Sequence, residues 1–378
     1  MEFKKINWPI LTFISVYHVA LLIGLPLYLY YFSITWTLVG IALFLFFATG
    51  ISITGGYHRF YSHRTYKANK LVEAVLLFFG TMAGQGSALR WSNDHRIHHA
   101  HIDTDKDPYS IQKGFLYAHI LWLFEKPKPI EPRVVSDLLK NKMVVLQDKY
   151  YGLLFLLLNV GSFVLVGWLL NDYVGAFVIV WWARLCLLHH STWFINSLAH
   201  VWGSKSYCKE ISAVDNYVIS LLTFGEGYHN YHHSFATDYR NGIRWYHFDP
   251  TKWLIWSLSK IGWTKQLKRI DKYKIQKRII KKDRDILLDW IKEIQYIKVD
   301  VLEEKIRKVA EDISSKISEM NNLKDLYSEY KKQCMEKQTL KNLKKEIKAL
   351  KKNIYQDWKD WVRLFNDIMD IRPISVSC

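Results

Sequence analysis

Nine of the fifteen histidines fall into four short patterns whose residue types could hold metal ions. The patterns are His58-x4-His63, His95-x2-His98-His99, Asn196-x3-His200 and His229-x2-His232-His233. Fifteen histidines among 378 residues would produce an H-x2-H-H triplet by chance far less than once, yet the chain has two. Neutral imidazole is the commonest metal ligand and suits iron, zinc, copper and nickel. Nine ligands are too many for one ion, so the patterns indicate a site for two.

The spacing within the patterns indicates how helices would present these side chains. Residues i, i+3 and i+4 share one helix face, so each triplet can point at a common spot. Asn196 and His200 are likewise one turn apart, whereas His58 and His63 would diverge on a regular helix and need a helix end or a local distortion. No cysteine lies within the patterns, and the paired Glu-x-x-His motifs that ferritin-type diiron bundles use are absent. The histidines therefore predict a different, His-rich dinuclear site.

The six remaining histidines lie outside the four patterns and are interpreted as ordinary core or surface residues. A lone histidine is more often a satisfied polar group than a ligand. The one nearest in sequence to the predicted ligands is His101, two residues after His99. The six are His101, His18, His119, His189, His190 and His247.

Four apolar runs are long enough to position these patterns at a membrane surface, since a spanning helix needs about 20 apolar residues. The runs are residues 8–32, 34–57, 151–170 and 174–194. Short turns separate the first two and the last two, which predicts two helical hairpins. Arg184 interrupts the fourth run, and a charge there is costly unless it contacts protein or water. We interpret it as a structural pair, with a polar contact near a substrate channel as the alternative.

A fifth apolar segment, residues 71–89, contains Glu73 and three glycines. If it spanned the membrane, the first two histidine patterns would lie on opposite sides, so we expect it to pack on the bundle. Neither hairpin tip carries Lys or Arg, whereas Lys4, Lys5 and the long basic segments lie at the other ends. The positive-inside rule then places both termini and residues 58–150 in the cytoplasm. All four histidine patterns would lie just beyond cytoplasmic helix ends.

The net charge of +17 comes from two regions of different composition. Lys, Arg, Asp and Glu supply 45 of the 108 residues from 271 onward, but only 42 of the first 270. The composition predicts a membrane domain over residues 1–270 and a charged helical extension over residues 271–378. The basic residues of the first domain belong to cytoplasmic loops, and no nucleic-acid motif accompanies them, so a nucleic-acid partner is not expected.

The extension has apolar residues at steps of three and four, from 306 to 330 and from 340 to 368. This stripe predicts two or more long helices of coiled-coil character, broken near residues 334–339. A homo-oligomer formed through these helices and the docking of another protein are the two hypotheses for their purpose. The basic run 272–284 is either a solvated face or a contact with anionic headgroups.

Four segments of the chain resemble the integral-membrane fatty acid desaturases, specifically the Δ9 acyl-CoA (stearoyl-CoA) type. They read GGYHRFYSHRTYK (55–67), RWSNDHRIHHAHIDTDKDPYSIQKGF (90–115), STWFINSLAHVWG (191–203) and FGEGYHNYHHSFATDYRNG (224–242). The resemblance covers about residues 8–270. It implies an all-α membrane protein with four transmembrane helices in two hairpins and a cytoplasmic helical cap that holds a diiron site. It also implies a location in a bacterial inner membrane or the endoplasmic reticulum.

The resemblance assigns roles to the residues of these segments. It implies that the nine patterned histidines hold two Fe²⁺ ions, that Asn196 contacts one ion through water, and that Trp193 and Asp94 line the substrate path. The implied reaction is O₂-dependent desaturation of a long-chain acyl-CoA to a cis-Δ9 product. Electrons would come from an external donor, either a cytochrome b5-like protein or a ferredoxin with its reductase, since no His-Pro-Gly-Gly haem motif is fused to the chain. That donor is the protein whose docking is the second hypothesis for the helical extension.

Two departures from the animal Δ9 pattern leave the acyl carrier open. Asn93 stands where those enzymes have an arginine, and Phe124-Glu125-Lys126 stands where they carry a basic pair. Those basic residues contact the CoA phosphates, so an acyl-lipid substrate is the first alternative. A fatty acyl or lipid hydroxylase of the same His-rich membrane class is the second, and a non-catalytic membrane metal-binding or scaffold protein is the third.

Overall fold

The computed structural model of the chain describes residues 6–294 and 299–371, and these are mostly helical. Lys4 and Lys5, on which part of the orientation argument depends, lie outside the described residues. Internal contacts divide the chain into two compact units. The first consists of residues 1–206 and 210–269, and the second of residues 207–209 and 270–378.

The first unit is built from helices and one small sheet. Its α-helices are α1 Trp8–Tyr31, α2 Trp36–Ile51, α3 Lys70–Met82, α4 Ala88–His101, α5 Phe115–His119, α6 Lys142–Lys149, α7 Tyr151–Leu170, α8 Tyr173–Gly175, α9 Arg184–Asn196, α10 Tyr217–Leu222, α11 His229–Ser234 and α12 Pro250–Lys260. Two π-helical stretches continue α2 and α8, over Ser52–Ser62 and Ala176–Ala183. The 3₁₀ turns are Ile111–Lys113, Leu121–Phe124, Leu138–Lys140 and Leu198–His200. Strands β1 Lys67–Ala68 and β2 Thr264–Lys265 pair antiparallel, with Lys67 opposite Lys265.

Within the described residues, four helices are long and apolar enough to cross a membrane. They are Trp8–Tyr31, Trp36–Ser62, Tyr151–Leu170 and Tyr173–His200, and this confirms the four predicted spans. At the tip of the first hairpin the Thr35 side chain accepts a hydrogen bond from the Leu38 amide, and at the second Asn171 adopts a left-handed conformation. The Tyr28 hydroxyl donates to Asp172 at 2.7 Å, which joins the two tips.

Arg184 is buried in the bundle and uses its donors on protein groups. Its guanidinium donates to the Met82 and Val180 carbonyls at 3.1 and 3.2 Å, and also to the Asn159 side chain. Because these partners satisfy the charge-bearing group away from water, the contacts fit the structural interpretation of Arg184.

The apolar segment 71–89 forms no fifth span. Helix α3 has only 13 residues and ends at Met82, and Gly84 and Gly86 then turn the chain with φ of 69° and 87° before α4 begins. The buried Glu73 accepts hydrogen bonds from Lys70 at 2.8 Å and from Tyr61 at 3.3 Å. The helix therefore packs on the bundle and connects the second span to α4.

The second unit consists of α13 Lys272–Lys292, α14 Val299–Lys332 and α15 Lys337–Met369. Its apolar stripe is largely buried among its own three helices. Buried stripe residues are Ile306, Ile313, Ile317, Met320, Leu343, Ile347, Ile354, Trp361 and Ile368. The homo-oligomer stays a prediction, and the stripe that suggested it is covered by helices of the same chain.

Candidate metal centre

The first histidine pattern lies on the π-helical stretch that ends the second span. Its i→i+5 bonding brings residues five apart onto one side. The His63 amide donates to the His58 carbonyl at 3.1 Å, which is a bond of this type. The π-helix is thus the local distortion that the five-residue spacing requires, and the rings of His58 and His63 lie 4.8 Å apart.

The second pattern lies on α4, which begins where Ser87 accepts a hydrogen bond from the Arg90 amide. Arg96 anchors this helix to the π-helical stretch. Its guanidinium donates to the Ser62 carbonyl at 3.0 Å and to both carboxylate oxygens of Asp137, at 2.6 and 2.9 Å. Since Arg96 points to this side of α4, the triplet is held with its rings toward the other histidines.

The third and fourth patterns lie close to one another. His200 ends the 3₁₀ turn that follows α9, and α11 carries the last triplet from its first residue, His229. The rings of His200 and His229 are 4.9 Å apart. An isolated helix of six residues would be marginal in water, and a hydrogen bond from the Tyr231 amide to Asp215 at 2.9 Å helps to hold α11.

The structure brings all nine patterned histidines together in two groups. In each group, one nitrogen of every histidine lies within 4.8 Å of the others. One group has five members, His58, His63, His95, His99 and His232, and the other has four, His98, His200, His229 and His233. Short contacts join Nε2 atoms, at 2.9 Å between His58 and His232, and at 2.8 Å between His63 and His95.

Acceptor groups behind three of these histidines set which ring nitrogen carries the proton. The Nδ1 atoms of His58 and His98 lie 2.9 Å from carboxylate oxygens of Glu226 and Asp107. An ionised carboxylate only accepts, so each Nδ1 donates and each Nε2 keeps its lone pair. His200 Nδ1 lies 2.6 Å from the Ser212 hydroxyl, whose own hydrogen is directed to Asp103.

In both groups, rings with a fixed lone pair at Nε2 therefore face the nitrogens of further imidazoles, and neutral rings that each presented a lone pair there would repel one another. A bound cation removes that repulsion, and carboxylates hydrogen-bonded behind ligating histidines are typical of metal sites. The donor set is all nitrogen, which suits iron, copper, zinc or nickel. The residues present thus fit two metal ions, one in each group.

Burial keeps these imidazoles in the form that binds metal. Burial, reinforced by the positive charge that neighbouring imidazoles would carry, lowers the pKa of six of them well below the ordinary 6.5. The six are His63, His95, His99, His229, His232 and His233. Burial alone would raise the pKa of Glu226, but His58 and Arg59 lower it below its ordinary value, so this carboxylate stays ionised.

The three other residues predicted for the site lie on the same helices. Asn196 is the half-buried last residue of α9, four residues before His200. Trp193 lies one turn earlier and is buried. Asp94 precedes His95 on α4 and accepts a hydrogen bond from the Asn93 side chain at 2.9 Å, and burial raises its pKa.

Sequence reasoning missed two features. Glu226 stands three residues before His229, but that spacing does not indicate its partner His58, and Asp107 has no such motif. Only the folded chain places these carboxylates behind His58 and His98. In addition, four of the six histidines interpreted as ordinary lie around the ring of Trp193, with centroid distances of 5.0 to 6.3 Å. These are His18, His119, His189 and His190. His101 and His247 belong to neither metal-ligand group.

Comparison with known sequences gives an independent line of evidence. A sequence profile of the family described as fatty acid desaturase matches residues 34–264. The chain is 38% identical over 300 residues to a probable acyl-CoA desaturase of Schizosaccharomyces pombe, covering 76% of this chain and 60% of that protein. It is 36% identical over 276 residues to acyl-CoA desaturase 1 of Saccharomyces cerevisiae, covering 71% of this chain and 54% of that protein.

A relative that is named for a different substrate aligns over nearly all of its length. The sn-2 palmitoyl-lipid 9-desaturase of Nostoc sp. is 35% identical over 271 residues, which cover 70% of this chain and 90% of that protein. The matches to the two yeast proteins, in contrast, cover little more than half of those relatives. The profile match over residues 34–264 includes three of the four spans and all nine patterned histidines.

Proposed function

Because the chain belongs to the fatty acid desaturase family, we propose that it introduces a cis-Δ9 double bond into a saturated long-chain acyl group, with O₂ as oxidant. The observation that carries this proposal is the convergence of nine imidazoles in groups of five and four. The overall balance is that the acyl chain, O₂, two electrons and two protons yield the alkene and two waters.

We infer that the two bound metals are Fe²⁺, one per group. Asn196 would complete the four-histidine group through a water, since that group has one imidazole fewer and includes His200 on the same helix end. When bound, the irons would supply the oxidising power that removing hydrogen from an unactivated methylene demands, and which acid–base side chains lack.

The chain's own residues would hold the metal ions, orient the acyl chain and keep water out of the site. Glu226 and Asp107 keep the Nε2 atoms of His58 and His98 free of protons and aimed inward. Trp193, packed with the buried Ile14 and Tyr17, would form part of an apolar wall for the acyl chain, while Asp94 would lie near its entrance. Burial of the centre would keep bulk water away from the reacting carbons.

The acyl carrier is proposed from the relatives and from one side chain. The yeast relatives are named for acyl-CoA, which favours that substrate. Asn93, however, is fully buried and accepts a hydrogen bond from the Glu131 amide at 2.9 Å, so it is turned away from any phosphate. This observation, together with the acyl-lipid relative, favours an acyl-lipid as the second candidate substrate.

The remaining partners follow from the family and the topology. An external donor, either a cytochrome b5-like protein or a ferredoxin with its reductase, would supply the electrons. Both termini would face the cytoplasm, in the endoplasmic reticulum or a bacterial inner membrane. A hydroxylase of the same class is distinguished by its oxygenated product.

The test is expression in a host that lacks its own desaturase, followed by mass spectrometry that locates double bonds in total fatty acids. We expect Δ9 monoenes with the wild-type chain and none with His98→Ala. His101→Ala is the matched control, because it lies on the same helix but outside both groups. Hydroxylated acyl chains without alkenes would overturn the proposed reaction. Assays with purified acyl-CoA and purified acyl-lipid substrates would show which of the two carriers the enzyme uses.

A further inference from the structure

A second set of ligand-type side chains lies within the membrane-spanning part of the first unit. It consists of His18 on α1 and of Cys186 and His190 on α9. One donor atom of each lies within 4.8 Å of the others. Cys186 and His190 are four residues apart and share a helix face, whereas His18 is 172 residues from His190 and reaches it only in the folded chain. None of the three belongs to the nine-histidine centre.

The hydrogen bond on the far side of His18 determines its protonation. His18 Nδ1 lies 2.7 Å from the carbonyl oxygen of Ile14. A carbonyl oxygen only accepts, so Nδ1 carries the hydrogen. The Nε2 atom of the neutral ring therefore presents a lone pair.

A short relay of acceptors determines the protonation of His190 in the same way. The Ser197 hydroxyl donates to the Trp193 carbonyl at 3.0 Å, so it accepts from His119 Nδ1 at 2.9 Å. His119 Nε2 then has a free lone pair and accepts from His190 Nδ1 at 3.0 Å. The Nε2 atom of His190 is left with a lone pair as well.

These two lone pairs face each other, since the Nε2 atoms of His18 and His190 are 3.1 Å apart. Two acceptors at this distance require a positive charge between or beside them, as at the nine-histidine centre. His189, the adjacent residue, is different, because it accepts from the Tyr17 hydroxyl at 2.9 Å and donates to the Ala83 carbonyl at 3.0 Å. The unmet lone pairs therefore belong to the ligand-type set and not to every histidine nearby.

The chemistry of the donors indicates which cation fits. Two imidazoles and a thiolate form an N₂S set, and thiolate selects soft ions such as Cu⁺. The site lies among apolar helices, where net charge is costly. A thiolate with a monovalent ion is neutral, whereas a divalent ion would leave a net positive charge.

We propose that His18, Cys186 and His190 bind one Cu⁺ ion. On binding, the Cys186 thiol releases its proton to solvent as the copper–sulfur bond forms, and no electron is transferred. The ion would clip the first span to the fourth beside Trp193, whose ring lies 5.0 Å from that of His190.

The test uses the full-length, iron-loaded protein in detergent, titrated with Cu⁺ under anaerobic conditions against the chelator bicinchoninate. We expect one tightly held copper per chain, with one sulfur and two nitrogen scatterers in the copper K-edge X-ray absorption spectrum. Cys186→Ser should weaken copper binding at least about tenfold and remove the sulfur signal, while iron content stays unchanged. Cys334→Ser is the matched control, because Cys334 is exposed and lies in the second unit, and it should bind copper like wild type.

His18→Gln gives a second route if Cys186→Ser loses its iron, because it removes a ligand from the other helix. Superimposed competition curves for wild type and for a correctly folded variant of either kind would overturn the proposal. So would preferential uptake of Zn²⁺ over Cu⁺ at this set, since that result contradicts the argument from charge.

Discussion

Asp107→Asn tests whether a buried carboxylate strengthens metal binding by the four-histidine group. Asp107 is 2% exposed and accepts from His98 Nδ1 at 2.9 Å, and from the amides of Tyr109 and Asp103 at 3.2 and 3.4 Å. Asparagine keeps the shape and one accepting oxygen but removes the negative charge. His98 would keep its position and lose the charge-assisted part of its hydrogen bond.

The size of the effect follows from that difference. A hydrogen bond to a charged group contributes about 1.5–3 kcal/mol and a neutral one about 0.5–1.5 kcal/mol. The loss is therefore about 1–1.5 kcal/mol, or roughly tenfold in metal affinity. Measured losses for residues behind metal-ligating histidines run from about 10- to 100-fold.

Iron retained per chain, measured across a chelator series, is the assay. We expect one of the two irons to leave Asp107→Asn at about tenfold lower chelator concentration than it leaves the wild type, and the other iron to leave at the wild-type concentration. Asp105→Asn is the matched control, since Asp105 lies in the same loop and is exposed. Coincident curves for Asp107→Asn and wild type would refute the reasoning, as would an equal shift in Asp105→Asn.

Three further outcomes are expected. Gly227→Ala should abolish iron loading, because the new methyl would meet the backbone nitrogen of Ser220 at 2.3 Å, and membrane-fraction iron analysis checks this. Arg96→Ala should lower the thermal midpoint by removing a hydrogen-bonded pair with Asp137 worth roughly 2 kcal/mol, which thermal unfolding of the purified protein measures; an unchanged midpoint would contradict it. For the metal-free protein, the six histidines of lowered pKa bind protons more readily when unfolded, so stability should be full above about pH 6.5 and fall as the pH drops below it. A denaturant midpoint that is flat from pH 7.5 to 5.5 would be inconsistent with those shifts.

The features that could be predicted from the sequence are those that depend on the spacing of residues close together in the chain. The four spans follow from uncharged runs, and the faces of α4 and α11 follow from histidines at i, i+3 and i+4. The five-residue interval between His58 and His63 also indicated a distorted helix, and the π-helix is that distortion. Glu73 and the glycines that follow correctly indicated a segment that does not span.

The features that sequence could not supply depend on contacts between distant segments. Glu226 is 168 residues from His58, and nothing in its surroundings marks it as that ring's acceptor. The separation into groups of five and four is likewise a property of packing, because the second and fourth patterns each contribute to both groups. His98 and His99 are neighbours in sequence but belong to different groups, since successive side chains on a helix point in different directions.

The presence of a histidine does not by itself distinguish a metal ligand from a structural residue. The hydrogen bonds made by its two ring nitrogens do, because they show whether a lone pair is left over. His189 donates from Nε2 to a carbonyl and accepts at Nδ1 from a hydroxyl, so neither nitrogen has a lone pair left over. His190 donates from Nδ1 and keeps a lone pair at Nε2, as His58 and His98 do. Because His189 and His190 are adjacent residues of the same type on the same helix, only the partner of each ring nitrogen distinguishes them. That rule connects the centre expected from the histidine patterns with the Cys186 site, which the patterns did not indicate.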